Sequence, residues 1–422
     1  MGLYVTKTPG VGGKIRQLMD DFYVEEISSR TEGKEGPYLI VELTKWDWDT
    51  HHVMRDLSRS LGISQKRFSW AGTKDKRAIT KQKISIWDIS EEELGNVNMP
   101  RVDLHAIGRS NKKVGLGDLL GNSFRIAIRN VDIPPDETEE RIQSISEEIA
   151  QFGGVPNFFG IQRFGTLRSV THLVGEAIIK GDFERAALTY IAKSFTSESE
   201  EIRSAREYVW KTHDFKVGLK LFPRHLRYER AMMNQLVSNP GDYIGAFRIL
   251  SPGLKKMFVH AYQSYIFNKI ISRRFQRGLP FSIATEGDIV CFVNKSGFPD
   301  ISRIQSVNED NLDGINNLIL RKRAFVTAPL IGYESKFAKG EPGEIERSVI
   351  DEMEIDLNDF AIQKMPELAS SGLRREILLS VQPTHEIDTD LNSSCTKVVL
   401  SFSLPKGCYA TVVLREYMKN LL

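Results

Sequence analysis

The chain has 422 residues, 41% hydrophobic and 27% charged, which excludes global disorder and, at roughly 150 residues per domain, leaves room for two or three domains. Its 57 Lys and Arg against 55 Asp and Glu give a net charge of +2, so any attraction for a polyanion must come from where the charges lie, and histone-like wrapping is excluded. Three scattered cysteines (Cys291, Cys395, Cys408) without a CxxC argue against a disulfide framework or a four-ligand zinc site, and no apolar run is long enough to cross a bilayer, which together suit a soluble protein of a reducing cytoplasm. The opening Met1-Gly2-Leu3-Tyr4-Val5-Thr6 has the spacing of a myristoylation signal, a pattern loose enough to arise by chance.

In chain order, the β-branched and aromatic run from Pro37 to Lys45 predicts a strand, followed by a helix opening near Thr50 and closing at Gly62. Residues 68–87 predict two strand pieces separated by the polar loop GTKDKRA, and the alternation of Phe124, Ile126 and Ile128 predicts a half-buried strand. Pro134-Pro135 should end that strand before a helix from Asp136 to about Gln151. Beyond Gly153-Gly154 the texture becomes helical, with segments at 183–192 and 252–277, so a second domain is expected there. The later helix carries Ser251 as N-cap, Pro252 at its first position and Gly278 as its stop. Glu341-Pro342-Gly343 reads as an exposed turn, and the terminal LPKGCYATVVLREY as a turn plus a buried strand.

The strongest chemical signal is the window from Gln65 to Lys83. It holds seven cations (Lys66, Arg67, Lys74, Lys76, Arg77, Lys81, Lys83) and a single acid, Asp75. Cations crowded beside one loop can track a phosphate backbone, which makes nucleic acid the natural partner and Lys74, Lys76, Arg77 and Lys81 the candidate contacts. Cations favour the anionic form of a carboxylate among them, and a carboxylate can act as a nucleophile without a metal or an activating base. A plain loop salt bridge or Asx-turn accounts for Asp75 equally simply, and is favoured on the window alone. The second signal is NFFGIQRFG, residues 157–165, whose aromatics could stack on an unpaired base while amides read its edge and glycines admit the backbone. A hydrophobic interdomain hinge with a buried arginine fits that run as well. Gly10-Val11-Gly12-Gly13-Lys14 lacks the Walker spacing, and His51-His52 are adjacent rather than four apart, so neither carries a site.

Three motifs in order, GTKDKRAITKQ (72–82), NFFGIQRFG (157–165) and LPKGCYATVVLRE (404–416), resemble the TruD family of tRNA pseudouridine synthases, with DFYVEE (21–26) and HAYQSYIFN (260–268) extending the likeness over the whole chain. The resemblance implies a cofactor-free isomerase, with no metal, that converts uridine to pseudouridine, usually at tRNA position 13. Its nucleophile falls on Asp75, the aromatic that packs on the target base on Phe159, the amide-bearing neighbour on Asn157 and the first motif glycine on Gly160. A basic residue five positions before the DF pair falls on Arg16, where the family often has lysine, and Arg163 with Arg321-Lys322-Arg323 are candidate wall contacts of an RNA cleft. The implied fold is the α+β pseudouridine synthase architecture with a curved mixed/antiparallel sheet, interrupted by an inserted TruD-specific domain. The catalytic domain would comprise 1–156 and 375–422, the insertion 157–374, with the strand 409–414 returning to the first domain's sheet. The expected partner is tRNA, with no membrane and no obligate protein partner evident. A different class of protein, a non-catalytic RNA-binding or chaperone-like chain keeping the same groove, is the alternative that turnover would discriminate.

Overall fold

The computed structural model describes residues 3–294, 297–389 and 395–420; Gly2, the residue a myristoylation signal would modify, lies outside the described residues. The chain forms two compact units, one of Tyr4–Val155 with the return segment from Leu379 onward, the other of Pro156–Leu378.

The first unit is built on a nine-stranded sheet. Its main path runs Thr384–Thr389, Thr396–Pro405, Leu119–Val131, Phe22–Ser28, Ile79–Trp87, Tyr38–Trp46, Val102–Ser110. Phe22–Ser28 and Ile79–Trp87 pair in parallel and the remaining neighbours on this path are antiparallel, so the sheet is mixed. Alternation along Tyr38–Trp46 sends Leu39, Val41 and Leu43 to one face, where they pack with Val53, Met54 and Leu57 of the helix Thr50–Ser60. That helix starts where it does because the Asp49 carboxylate accepts the His52 amide at 3.1 Å. The helix Pro135–Phe152 opens on a proline in its first turn and stops at Gly153, whose φ of 93° suits glycine.

The end of the chain departs from expectation. Residues 409–414 are not a strand: Ala410–Met418 is a helix, and the strand returning to the sheet is Thr396–Pro405, paired with Leu119–Val131. The short run Thr-Val-Val-Leu has strand composition, but a few apolar residues cannot fix a period, and Gly407 at φ 81° turns the chain before them. The helix is bound to the unit by the Tyr417 and Ser146 hydroxyls at 2.9 Å. Glu416, almost fully buried, accepts the amides of Val5 and Thr6 at 3.2 Å and the Thr6 hydroxyl at 2.8 Å, clamping the N-terminal segment.

The second unit is mainly helical, with a four-stranded antiparallel sheet in the order Pro299–Ser306, Ile289–Val293, Ala324–Leu330, Leu373–Glu376. The helix Pro252–Gln276 is its spine, with the Ser251 hydroxyl accepting the Leu254 amide. Gly175 of Thr171–Ile179 sits against this helix so closely that a Cβ would lie 2.1 Å from the Phe258 carbonyl oxygen. Glu341-Pro342-Gly343 is not an exposed turn; it forms the first turn of the helix Gly340–Glu352, where proline costs no hydrogen bond, and Pro342 and Gly343 are buried. No helix of the described residues is long and apolar enough to cross a membrane.

Candidate active site

In the first unit, the cationic loop runs without regular structure between the strands Phe68–Trp70 and Ile79–Trp87 and is tied down along its length. The Gln82 amide donates to the Gly72 carbonyl at 3.1 Å, and the Lys74 amide donates to the Thr50 hydroxyl at 3.2 Å. The Lys74 ammonium, 5% exposed, donates to Asn122 Oδ1 at 2.7 Å and lies 3.1 Å from buried Glu26. Lys45, fully buried at the end of the Leu39, Val41, Leu43 face, donates to the carbonyls of Trp48 at 2.7 Å and Asp75 at 2.9 Å. Burial pushes the Lys45 ammonium down to about 8, against the opposing pull of the Asp75 carboxylate.

Anchored through its own carbonyl, Asp75 turns its carboxylate outward. The side chain is 46% exposed and its Oδ2 accepts a hydrogen bond from Arg16 Nη2 at 3.2 Å. Arg16 lies across the Phe22 ring at 4.2 Å, and its backbone holds φ at 58°, a left-handed conformation uncommon for a residue with a side chain. The conjunction of an unusual backbone, a stacked guanidinium and an outward carboxylate marks a constrained site.

The four cations expected to meet RNA divide by sheet parity and burial. Lys76 and Arg77 are exposed and form no ion pair with a described residue. Lys74 is committed to Glu26 and Asn122. Lys81 alternates with Thr80 and Gln82, so it leaves the opposite face of its strand, where it meets Glu42 at 3.1 Å and Glu25 at 3.4 Å; these contacts raise its pKa, the Glu42 hydrogen bond most.

In the second unit, NFFGIQRFG is held by residues of HAYQSYIFN. Asn268 brackets Phe159, accepting its amide at 2.9 Å and donating to its carbonyl at 3.0 Å, while Phe267 meets the ring edge-on at 5.5 Å. Asn157, buried, donates to the Glu376 carbonyl and carboxylate at 3.1 and 3.0 Å and accepts from Arg375 at 2.6 Å. The Arg375 guanidinium lies 4.4 Å from the Phe159 ring centroid and that of Arg163 5.6 Å; Arg163 also donates to the Ser264 hydroxyl at 3.1 Å. Gly160, buried, leads into the single turn Ile161–Arg163, and Phe159 is 6% exposed. Arg321, Lys322 and Arg323 are exposed.

Sequence reasoning missed Lys45, Glu26, Asn122, Asn268 and Arg375. Only Lys45 carried a usable signal, a lysine at the buried parity of an otherwise apolar strand.

Against known proteins, the chain has over 99% of its length the fold of a solved structure of a tRNA pseudouridine synthase D (TruD) from Methanosarcina mazei, with a TM-score of 0.88, 55% identity and 96% of that chain covered. Its architecture is therefore the α+β pseudouridine synthase fold. A family model described as tRNA pseudouridine synthase D (TruD) matches residues 1–417. A Methanococcoides burtonii protein named as a probable tRNA pseudouridine synthase D is 57% identical over 418 residues, 99% of this chain and 95% of that one; a Methanosarcina mazei protein of the same name is 55% identical over 420 residues. The chain belongs to the tRNA pseudouridine synthase D family, a family of isomerases that turn uridine into pseudouridine in tRNA.

Proposed function

We propose that this chain converts uridine 13 of tRNA to pseudouridine with Asp75 as its nucleophile, working in the reducing cytoplasm that its three free cysteines suit. The observation that carries this reading is the Asp75 carboxylate itself, held outward on a loop pinned by Lys45, Lys74 and Gln82 and hydrogen-bonded to Arg16. A pure RNA binder has no use for an anion presented among cations that face phosphates. In the same reading residues 1–156 with 375–422 are the catalytic domain and 157–374 the TruD-specific insertion.

A stacked uridine cannot present C1′ or C6 to a protein carboxylate, so the nucleotide is extruded at a cost of a few kcal/mol. Lys76 and Arg77 offset that cost on the phosphates. Phe159, whose backbone is held by Asn268 and whose ring is fixed by Phe267 and Arg375, is the aromatic for the base in this reading, with Asn157, Gly160 and Arg163 beside it in sequence. Arg16 keeps the Asp75 carboxylate aimed before the nucleoside arrives. Three routes fit: attack at C1′, elimination after loss of the C2′ proton, or addition to C6. Each ends with the N1–C1′ bond broken and a C5–C1′ bond made, the C5 proton leaving to solvent and N1 taking up a proton in its place. Because the carboxylate is open to water in the free chain, the incoming nucleoside has to exclude that water.

Asp75→Asn tests the assignment, since the amide keeps the shape and removes the nucleophile. Tritium release from 5-tritiated uridine in tRNA should vanish while tRNA affinity stays within about threefold, a margin set by one exposed charge. Retained turnover would remove Asp75 from this role, and nucleotide-resolution mapping of pseudouridine away from position 13 would remove the position.

A further inference from the structure

A second cationic surface lies in the helical unit Pro156–Leu378. The stretch from Trp210 to Tyr228 holds five cations (Lys211, Lys216, Lys220, Arg224, Arg227) and one acid, Asp214, a local +4 in a chain whose total is +2. It spans the end of the helix Glu200–Thr212, the helix Phe215–Leu221, a turn, and the start of the helix Arg227–Ser238.

The fold turns these charges outward. Gly218 is pressed into its neighbours, where a Cβ would lie 2.7 Å from Val209 and 2.9 Å from Met233, so that side of its helix faces the packed ones. Lys216 and Lys220 stand two residues to either side, about 200° round the helix, and both are exposed. Arg230 donates to the carbonyls of Leu219 at 2.5 Å and Phe222 at 2.6 Å, fixing the turn that displays Arg224.

All five cations are exposed and none forms an ion pair with a described residue. The Asp214 carboxylate accepts the Val217 amide at 2.9 Å, and among the described residues the ion-pair contact from this stretch to an outside acid is His213 to Glu184 at 4.0 Å. Trp210 and Tyr228 are exposed among the cations, and Leu226 gives the helix Arg227–Ser238 no side-chain cap. Unpaired cations interleaved with solvent-facing aromatics match a phosphate backbone carrying unstacked bases. A lipid surface would instead call for one continuous apolar helix face.

We propose that this face is a second RNA-contact surface, which docks the substrate tRNA at phosphates and unpaired bases other than those of the target uridine. The RNA's identity rests on the function proposed above; the surface chemistry does not. The test uses the full chain carrying Lys216→Gln, Lys220→Gln, Arg224→Gln and Arg227→Gln together, four exposed positions whose loss should leave the fold intact by circular dichroism. With a tRNA transcript, affinity should fall at least about tenfold at 100 mM salt, and the slope of log K against log salt should become shallower by about 3. Pseudouridine formation at saturating enzyme in single turnover should stay within about twofold, because none of the four is assigned to the target nucleotide. A companion variant, Trp210→Ala with Tyr228→Ala, should weaken binding without changing the salt slope. Unchanged affinity and slope in the fourfold variant overturns the proposal, as does intact tRNA binding alongside lost binding to vesicles of anionic phospholipid. A wild-type chain that forms no pseudouridine defeats the proposed function instead, while the salt slopes still decide the surface.

Discussion

Replacing Lys45 by methionine sets two effects of similar size against each other. The ammonium serves two carbonyls, those of Trp48 and Asp75, and an unpartnered buried carbonyl costs about 1–3 kcal/mol. Against this, the folded chain holds the Lys45 proton with a pKa of about 8, whereas an unfolded lysine titrates near 10.4. Keeping that charge buried at pH 7 therefore costs roughly 3 kcal/mol, which methionine relieves while filling a similar volume. The two nearly cancel, so Lys45→Met should fold with a stability within about 2–3 kcal/mol of wild type at pH 7. Between the folded and unfolded pKa values the unfolded chain holds more protons, so this residue's contribution to stability rises with pH. From pH 7 to pH 9 wild type should improve by about 1.3 kcal/mol relative to Lys45→Met, because other titrations cancel in the difference. Urea denaturation of both proteins at the two pH values measures it. Turnover should drop by roughly tenfold or more, since the Asp75 carbonyl loses its anchor and small misplacements act on that scale. Stability differences that stay parallel from pH 7 to pH 9 would refute the buried charge, and full activity would refute the anchoring role.

Two further substitutions probe other contacts. Phe159→Ala should cost about 3–5 kcal/mol in thermal or urea unfolding, because the ring is buried against Phe267 and Arg375, so its role with the base is better read from Phe159→Leu, which should lose turnover per folded molecule; unchanged turnover would argue against base contact. Glu416→Ala should destabilise by about 1–3 kcal/mol and raise hydrogen exchange at the Val5 and Thr6 amides, and unaltered protection there would show that the N-terminal segment is held by something else.

What the sequence disclosed followed local rules. The helix Pro252–Gln276 announced itself through Ser251, Pro252 and Gly278, and the Asp75 loop through Gly, Thr, Lys and Asp between two strand-like runs. Ala410–Met418 was misread because Val412, Val413 and Leu414 suit either period, and burial by the helix Pro135–Phe152 decided the matter. Composition gave the sign of the loop's charge but not its partners, since Glu26 and Asn122 reach Lys74 from strands far along the chain. Asn268 looked like one more polar residue on a long helix, and only tertiary packing turns its amide onto the Phe159 backbone.

The same accounting changes how much of the loop's charge is available to RNA. Of the seven cations from Lys66 to Lys83, Lys74 is paired with Glu26, Lys81 with Glu25 and Glu42, Lys83 with Glu32, and Arg67 with Asp88, which leaves Lys66, Lys76 and Arg77. A phosphate cannot recruit Lys74 cheaply, because the carboxylate left behind is buried and breaking such a pair costs about 3–5 kcal/mol. Inward cations therefore make the loop stiff enough to aim Asp75, and outward ones are too few to hold a tRNA alone. Three phosphate contacts predict a log–log salt slope of only about −2 to −3. A steeper slope for the wild-type chain requires cations elsewhere, and among the described residues the face carrying Lys216, Lys220, Arg224 and Arg227 is one concentration of unpaired charge, Arg321-Lys322-Arg323 being another.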